Sequence, residues 1–296
     1  MSEAALLEGK LIKEKLIEEL RKECAKLKID LSRSPKLVAL KAGTDAGTDM
    51  YITSQSKACG SVGVKHEVRA LDGNISTEKV IEEIEKLNRD ASVDGVIIQM
   101  PLPKQVNADQ VLSSLSPLKD AEGVHPHNLG LLFMGRPVTL PCTPAACVEL
   151  IKSSGIDLYG KEVVVAGTSV AVGKPISILL LDQMATVTMC RSSASKVGSL
   201  ERHVRAADVL IAAIGQPEAI RGNWIKEGAI VIDVGTNRVN GKTVGDVEFE
   251  PAKKRAKMIS PVPGGVGPVT TAILIRNVLR MAKKRHESMR PIGKAK

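Results

Sequence analysis

At 296 residues the chain is long enough for two domains, and 43% hydrophobic with 25% charged residues is the balance of an ordinary globular protein. No run approaches the roughly 18 apolar residues of a membrane span, and the five cysteines include no second short-spaced pair or nearby histidine that would complete a zinc set. The formal net charge of +9 comes largely from residues 251–257 and the terminal "KKRHESMRPIGKAK". With no interleaved aromatics this pattern does not point to nucleic acid. It reads first as a solvated basic surface, the alternative being attraction of small polyanions such as dinucleotides or polyglutamylated cofactors.

The opening "MSEAALLEGKLIKEKLIEEL" has the period of an amphipathic helix, with no secretory apolar core. Glu3, Glu8, Glu14, Glu18 and Glu19 set it apart from a transit peptide, so a cytoplasmic location is expected. "KLVALKAG" (36–43) predicts a strand, residues 50–61 a helix, and "KHEVRAL" a second strand. Residues 76–90 predict a helix capped by Ser76 or Thr77, with Val80, Ile81, Ile84 and Leu87 on one face. "VDGVIIQMPLP" (93–103) predicts an apolar strand ended by Pro101 and Pro103. Residues 118–144, rich in Gly and Pro, predict a linker or a site-forming loop.

A second unit follows, with a helix opening at "PAACVELIKSSG". Strands are predicted at 161–167, 185–190, 207–215 and 228–235, separated by helices, with a final helix at 269–285. Aromatics make up only 2% of the chain, so its cores must be aliphatic, which suits buried parallel strands. The fold class is α/β. The expected domains are 1–145, a Rossmann-like 146–268, and a helix in 269–296 that packs back on the first domain and ends in a basic tail.

"VVVAGTSVAVGKP" places Gly167 at a strand end and Gly173 at a helix start. The spacing is G-x5-G, not the G-x-G-x-x-G dinucleotide fingerprint, yet the same physics applies: a tight turn and helix-start N–H groups facing phosphate. Thr168 and Ser169 add hydroxyls. The next strand ends in Arg191, Ser192 and Ser193 with no acid nearby. A carboxylate there would bond a ribose 2′-OH, whereas a guanidinium and two hydroxyls suit a 2′-phosphate, so NADP is expected over NAD. Gly215 and Gly235 sit at two further strand ends, where a flat ring and its ribose could lie against backbone.

The ordered motifs "MYITSQSKA", "VDGVIIQMPLP", "SPLKDAEGVHPHNLG", "PCTPAACVELI", "AGTSVAVGKP", "GNWIKEGAIVIDVGTNR", "VGDVEFE" and "PVPGGVGPVT" run through nearly the whole chain. By these it resembles the bifunctional methylenetetrahydrofolate dehydrogenase/methenyltetrahydrofolate cyclohydrolases. The resemblance implies two α/β domains with a cleft between them, a folate-binding catalytic domain first and an NADP-binding domain second. It implies oxidation of 5,10-methylenetetrahydrofolate with NADP, then hydration of the methenyl cation to 10-formyltetrahydrofolate. It further implies tetrahydrofolate derivatives, polyglutamylated ones included, as ligands, a homodimer, no nucleic-acid or membrane partner, and no metal.

Carried over by position, Tyr51 would stack on the folate rings and Gln99 would bond within the active site, beside Met100 and Pro101. Glu122 would bond the pterin N–H groups. The run Pro263, Gly264, Gly265, Val266 and Gly267 would line the folate pocket. Gly167, Thr168 and Ser169 would contact the cofactor's phosphate and ribose region, Arg191, Ser192 and Ser193 its 2′-phosphate, and Thr236 would lie near the nicotinamide.

Two positions depart from the family pattern. Four residues after the tyrosine the family carries lysine, in Y-V-x-x-K; here Gln55 stands there. Lys57 does not replace it: four residues advance about 400° around a helix, within about 40° of Tyr51, whereas six advance about 600°, leaving Lys57 some 120° away. Glu122 stands where the family carries aspartate. The expectation is a working dehydrogenase whose cyclohydrolase is lost or weakened. The alternatives are a fully bifunctional enzyme using another proton relay, and a pseudoenzyme that binds without turnover.

Overall fold

The computed structural model describes residues 3–289. Residues 290–296, the end of the basic tail, lie outside the described residues. In chain order the elements are β1 (Ala5–Leu6), α1 (Gly9–Leu31), β2 (Lys36–Ala42), α2 (Ala46–Val62), β3 (Lys65–Leu71), α3 (Thr77–Arg89) and β4 (Gly95–Ile98). Next come α4 (Ala108–Ser114), α5 (Pro126–Phe133), α6 (Cys142–Ser153), β5 (Glu162–Ala166), α7 (Gly173–Leu181), β6 (Thr186–Cys190), α8 (Ser192–Lys196), α9 (Leu200–Ala206) and β7 (Val209–Ala212). The chain closes with β8 (Ile230–Asp233), β9 (Asn237–Val239), β10 (Lys242–Val244), α10 (Phe249–Lys253), β11 (Met258–Ile259) and α11 (Val266–Met289). These elements form two compact units, Lys15–Leu140 with Thr271 onward, and the N-terminus to Glu14 with Pro141–Thr270. No helix among the described residues is long and apolar enough to cross a membrane.

The unit built on Lys15–Leu140 has a three-stranded parallel sheet in the order β3-β2-β4. The chain crosses from β2 to β3 on one side and returns to β4 on the other, so the C-terminal ends of β2 and β4 flank a switch point, where α/β sheets bind ligands. Val38, Leu40, Val96 and Ile98 bury against Val80, Ile84 and Leu87 of α3. Ser76 caps that helix by accepting from Lys79 N at 3.4 Å, an interaction of about 1 kcal/mol. Asn277 of α11 donates to the carbonyls of Ala121 and Leu140, both at 2.9 Å, which anchors that helix in this unit.

The other unit has six parallel strands in the order β1-β11-β8-β7-β5-β6. Its core is aliphatic: Val164, Leu210, Val231 and Ile259 are all buried, with Trp224 half-buried against them. The direction of winding reverses between β5 and β7, which makes their C-terminal ends the second switch point.

Several predicted elements differ from the observed ones. Residues 5–6 are a strand rather than the start of a helix, because they pair with β11 in register Ala5↔Met258. The second sheet has six strands, not four, and the link from β7 to β8 holds a 3-10 turn, Gly222–Trp224, in place of a full helix. The strand predicted over 93–103 is only Gly95–Ile98: Gln99 N still bonds Leu40 O at 2.8 Å, but Pro101 and Pro103 have no N–H to continue the ladder. Residues 118–144 are not wholly irregular. They contain α5, capped by the His125 ring accepting from His127 N at 3.0 Å.

Candidate functional site

In the first unit, Gly43 turns the chain out of β2 at φ 76°, a left-handed conformation that favours glycine. Asp45 then caps α2, its carboxylate accepting from Thr48 N at 2.7 Å. This start fixes the rotation of α2. Gln55 is fully buried, Tyr51 is half-buried, and Lys57 is exposed, as a 100° step per residue requires.

Gln99 extends just past β4 and is 4% exposed. Its Nε2 donates to Gln55 Oε1 at 3.2 Å. The Nε2 of Gln55 is buried with no hydrogen-bond partner among the described residues, although such donors are nearly always paired. Met100 and Pro101 are exposed beside this pair, and Thr48 Oγ1 donates to Met100 O at 3.3 Å.

Glu122 is half-buried on a loop built by its neighbour Asp120. Asp120 accepts from Gly123 N at 2.9 Å, His125 N at 2.9 Å and Asn128 Nδ2 at 2.8 Å. Burial, helped by the nearby Asp120 charge, pushes the Glu122 carboxyl up to about 7. Lys119 turns away from this loop: it is buried and donates to Leu87 O and Asp90 O, both at 2.6 Å. Desolvation, with Arg285 adding repulsion, lowers its ammonium to about 8.

In the second unit a cavity of about 210 Å³ opens at the β5/β7 switch point. Gly167, Thr168, Ser169, Arg191 and Ser192 line it, together with Ala213, Ile214 and Gln216. None of the described lining residues is acidic. Gly167 and Gly173 are demanded by the loop itself: a Cβ at Gly167, at φ +125°, would stand 2.0 Å from Ala213 O, and one at Gly173 2.1 Å from Gly167 O. Ser169 Oγ accepts from Val172 N at 3.2 Å and Gly173 N at 3.4 Å, so its hydroxyl holds the start of α7.

Ser193 and Thr236 are exposed and do not line this cavity, and neither do Gly173, Gly215 or Gly235. Gly215 has open space around it at φ +74°. At Gly235 the room is filled from within, because a Cβ would stand 2.3 Å from Asp246 Oδ1. The run Pro263 to Gly267 also belongs to this unit. Gly264, at φ +116°, accepts from Gly9 N at 2.8 Å, and a Cβ on Gly9 would stand 1.9 Å from Gly265 O. Val266 is buried, while Gly267 has no atom within 4 Å of a built Cβ.

Sequence reasoning missed Ser195 on the cavity wall and the buried carboxylates Asp233 and Asp246. The carboxylates carried a signal: each is an acid set among aliphatic residues and glycine, in "IVIDVG" and "VGDV".

Residues 7–122 match the family model described as Tetrahydrofolate dehydrogenase/cyclohydrolase, catalytic domain, and residues 141–286 match its NAD(P)-binding domain. The chain is 47% identical over 283 residues to the bifunctional protein FolD of Geotalea daltonii, covering 95% of this chain and 100% of that one. It is 46% identical over 282 residues to the FolD protein of Acetivibrio thermocellus, covering 95% and 98%. Among solved structures it is similar to the methylenetetrahydrofolate dehydrogenase-cyclohydrolase (FolD) of Trypanosoma brucei complexed with NADP and inhibitor. That likeness has a TM-score of 0.92 at 37% identity over 98% of this chain and 100% of that one. The 5,10-methylenetetrahydrofolate dehydrogenase of the silkworm Bombyx mori matches with a TM-score of 0.90 at 35% identity, over 96% and 99%. With both domains matched in order, the chain belongs to the tetrahydrofolate dehydrogenase/cyclohydrolase family.

Proposed function

We propose that this protein oxidises 5,10-methylenetetrahydrofolate to 5,10-methenyltetrahydrofolate with NADP, and that hydration to 10-formyltetrahydrofolate is lost or greatly weakened. The observation that carries this reading is Gln55, buried on the Tyr51 side of α2 and bonded to Gln99, while Lys57 faces solvent. Bound NADP supplies a hydride acceptor for the one-carbon bridge. No protein group must take a proton in that step, so the chain's task is to hold its ligands. Tyr51 offers an aromatic face, Glu122 a carboxyl for pterin N–H groups, and the buried Gln55 Nε2 a neutral donor that does not repel the cation formed. The cofactor fits the second unit: backbone approach at Gly167, hydroxyls at Thr168 and Ser192, and the Arg191 guanidinium for a 2′-phosphate with no acid among the described wall residues.

Hydration makes a different demand. Water must lose a proton as its oxygen bonds the methenyl carbon, and a nitrogen must gain one as the ring opens. General acid–base catalysis contributes on the order of 10²–10⁴-fold to such steps, and an amide ionises nowhere near the working range. Tetrahydrofolate derivatives as substrates, assembly as a homodimer and a cytoplasmic location are part of the same proposal, supported by membership of the family.

One observation favours a second reading, retained hydration. The Glu122 carboxyl, held near 7, is itself matched to proton transfer. Incubation with methenyltetrahydrofolate without dinucleotide separates the two. Decay no faster than the enzyme-free control supports loss; enzyme-dependent decay close to the dehydrogenase rate overturns it.

A further inference from the structure

We infer that Asp246 is a positioning residue for the cofactor, holding the turn after β7 in the shape that the dinucleotide meets. This inference rests on the NADP reading of the second unit's cavity.

Asp246 is fully buried two residues past β10. Its Oδ2 accepts from Ile214 N at 2.5 Å and Gly215 N at 2.8 Å, and its Oδ1 from Gln216 N at 3.1 Å and Asn237 Nδ2 at 2.9 Å. Three successive main-chain N–H groups converge on one carboxylate. Such a nest binds anions, and here the anion is internal. Ile214 and Gln216 line the cavity, so one buried side chain sets the geometry of a wall it does not itself form. Those three N–H groups are already satisfied, which leaves cofactor phosphate to the Gly167–Ser169 loop and Arg191.

A second carboxylate holds the first in place. Asp233, at the end of β8, accepts from Asp246 N at 3.0 Å, Val247 N at 2.9 Å and Gly235 N at 2.9 Å. Glycines leave room for both acids: a Cβ on Gly235 would meet Asp246 Oδ1 at 2.3 Å, and one on Gly245 would meet Asp233 Oδ2 at 2.0 Å. The turn, β8 and the β9–β10 hairpin thus share one hydrogen-bonded network.

Asp246→Asn tests this, because its amide would set N–H against N–H in the nest at almost unchanged volume. The expected result is NADP affinity weakened at least about tenfold, measured by calorimetry, with KM for methylenetetrahydrofolate within about twofold and kcat at saturating NADP within about threefold. A folded variant that binds NADP within about twofold of the unmutated chain overturns the inference. If the variant does not fold, amide hydrogen exchange on the unmutated chain decides. Ile214, Gly215 and Gln216 should be protected before NADP is added; fast exchange that slows only with NADP means that the cofactor, not Asp246, orders the turn. Failure of the unmutated chain to bind NADP defeats the cofactor reading and this inference with it, whereas equal binding by both proteins defeats the inference alone.

Discussion

Gln99 Nε2 donates to Gln55 Oε1 at 3.2 Å, joining two buried neutral amides between β4 and α2. In this bond Gln55 Oε1 is the acceptor and its Nε2 is the end left over, a donor. A donor can hold folate, but it cannot accept the proton that water must release. Gln55→Lys should therefore raise methenyltetrahydrofolate hydrolysis by about 100-fold or more, while dehydrogenase kcat changes by less than about tenfold. The check is a pair of steady-state assays on one preparation. Hydrolysis unchanged by the lysine would show that Gln55 is not what limits the second step.

Glu122 predicts a pH dependence of stability. Below about 4.5, its ordinary value, folded and unfolded chains both hold the proton and the carboxyl contributes nothing. Between there and about 7 the unfolded chain loses the proton while the folded chain keeps it, so stability falls as pH rises. Above 7 both are ionised and the whole penalty is present. Glu122→Gln removes the titration, so its thermal midpoint should exceed that of the unmutated chain at pH 8 and the difference should shrink towards pH 5. Thermal melts of both proteins across that range supply the test, and a difference that grows on acidification contradicts the burial argument.

Arg191 predicts cofactor choice. It stands on the cavity wall at the end of β6, where none of the described lining residues is acidic. Losing charge-assisted bonds to a 2′-phosphate costs about 1.5–3 kcal/mol, roughly 10–150-fold in affinity. Arg191→Ala should raise the NADP KM by that factor and shift the NAD KM by no more than about twofold. Parallel titrations with the two dinucleotides report it directly.

Gly167 predicts a steric limit. Gly167→Ala places a Cβ about 2.0 Å from Ala213 O at φ +125°, so the β5 and β7 loops must move apart. A loss of about 2–4 kcal/mol is expected from strain of this kind, with NADP binding reduced as well. Denaturant titration with calorimetry on the same variant tests both. Unchanged stability would mean that the loop tolerates the separation.

Much of the architecture could be read from local pattern, because long apolar runs and amphipathic periods are local properties. β5 and α3 follow from such signals, and so does the rotation of α2 that buries Gln55 and exposes Lys57. β1 and β11 could not be read this way: two residues carry no period, β1 is a strand only because of its partner across more than 250 residues of chain, and β11 lies between β1 and β8. The candidate site divides similarly. Gly167 and Arg191 announced themselves by their place at strand ends. The Asp246 nest depends on donors 30 to 32 residues away, and no local pattern shows that a Cβ on Gly235 would meet Asp246 Oδ1.

Dehydrogenation without hydration can be read from a single reaction mixture. The most direct measurement mixes the purified protein with 5,10-methylenetetrahydrofolate and NADP, following reduced cofactor and methenyltetrahydrofolate together. The expected result is that the two accumulate in step, the methenyl product decaying only at the enzyme-free rate. Reduced cofactor rising while the methenyl product stays below that control would contradict it, and would assign proton transfer to another group, with Glu122 the first to replace.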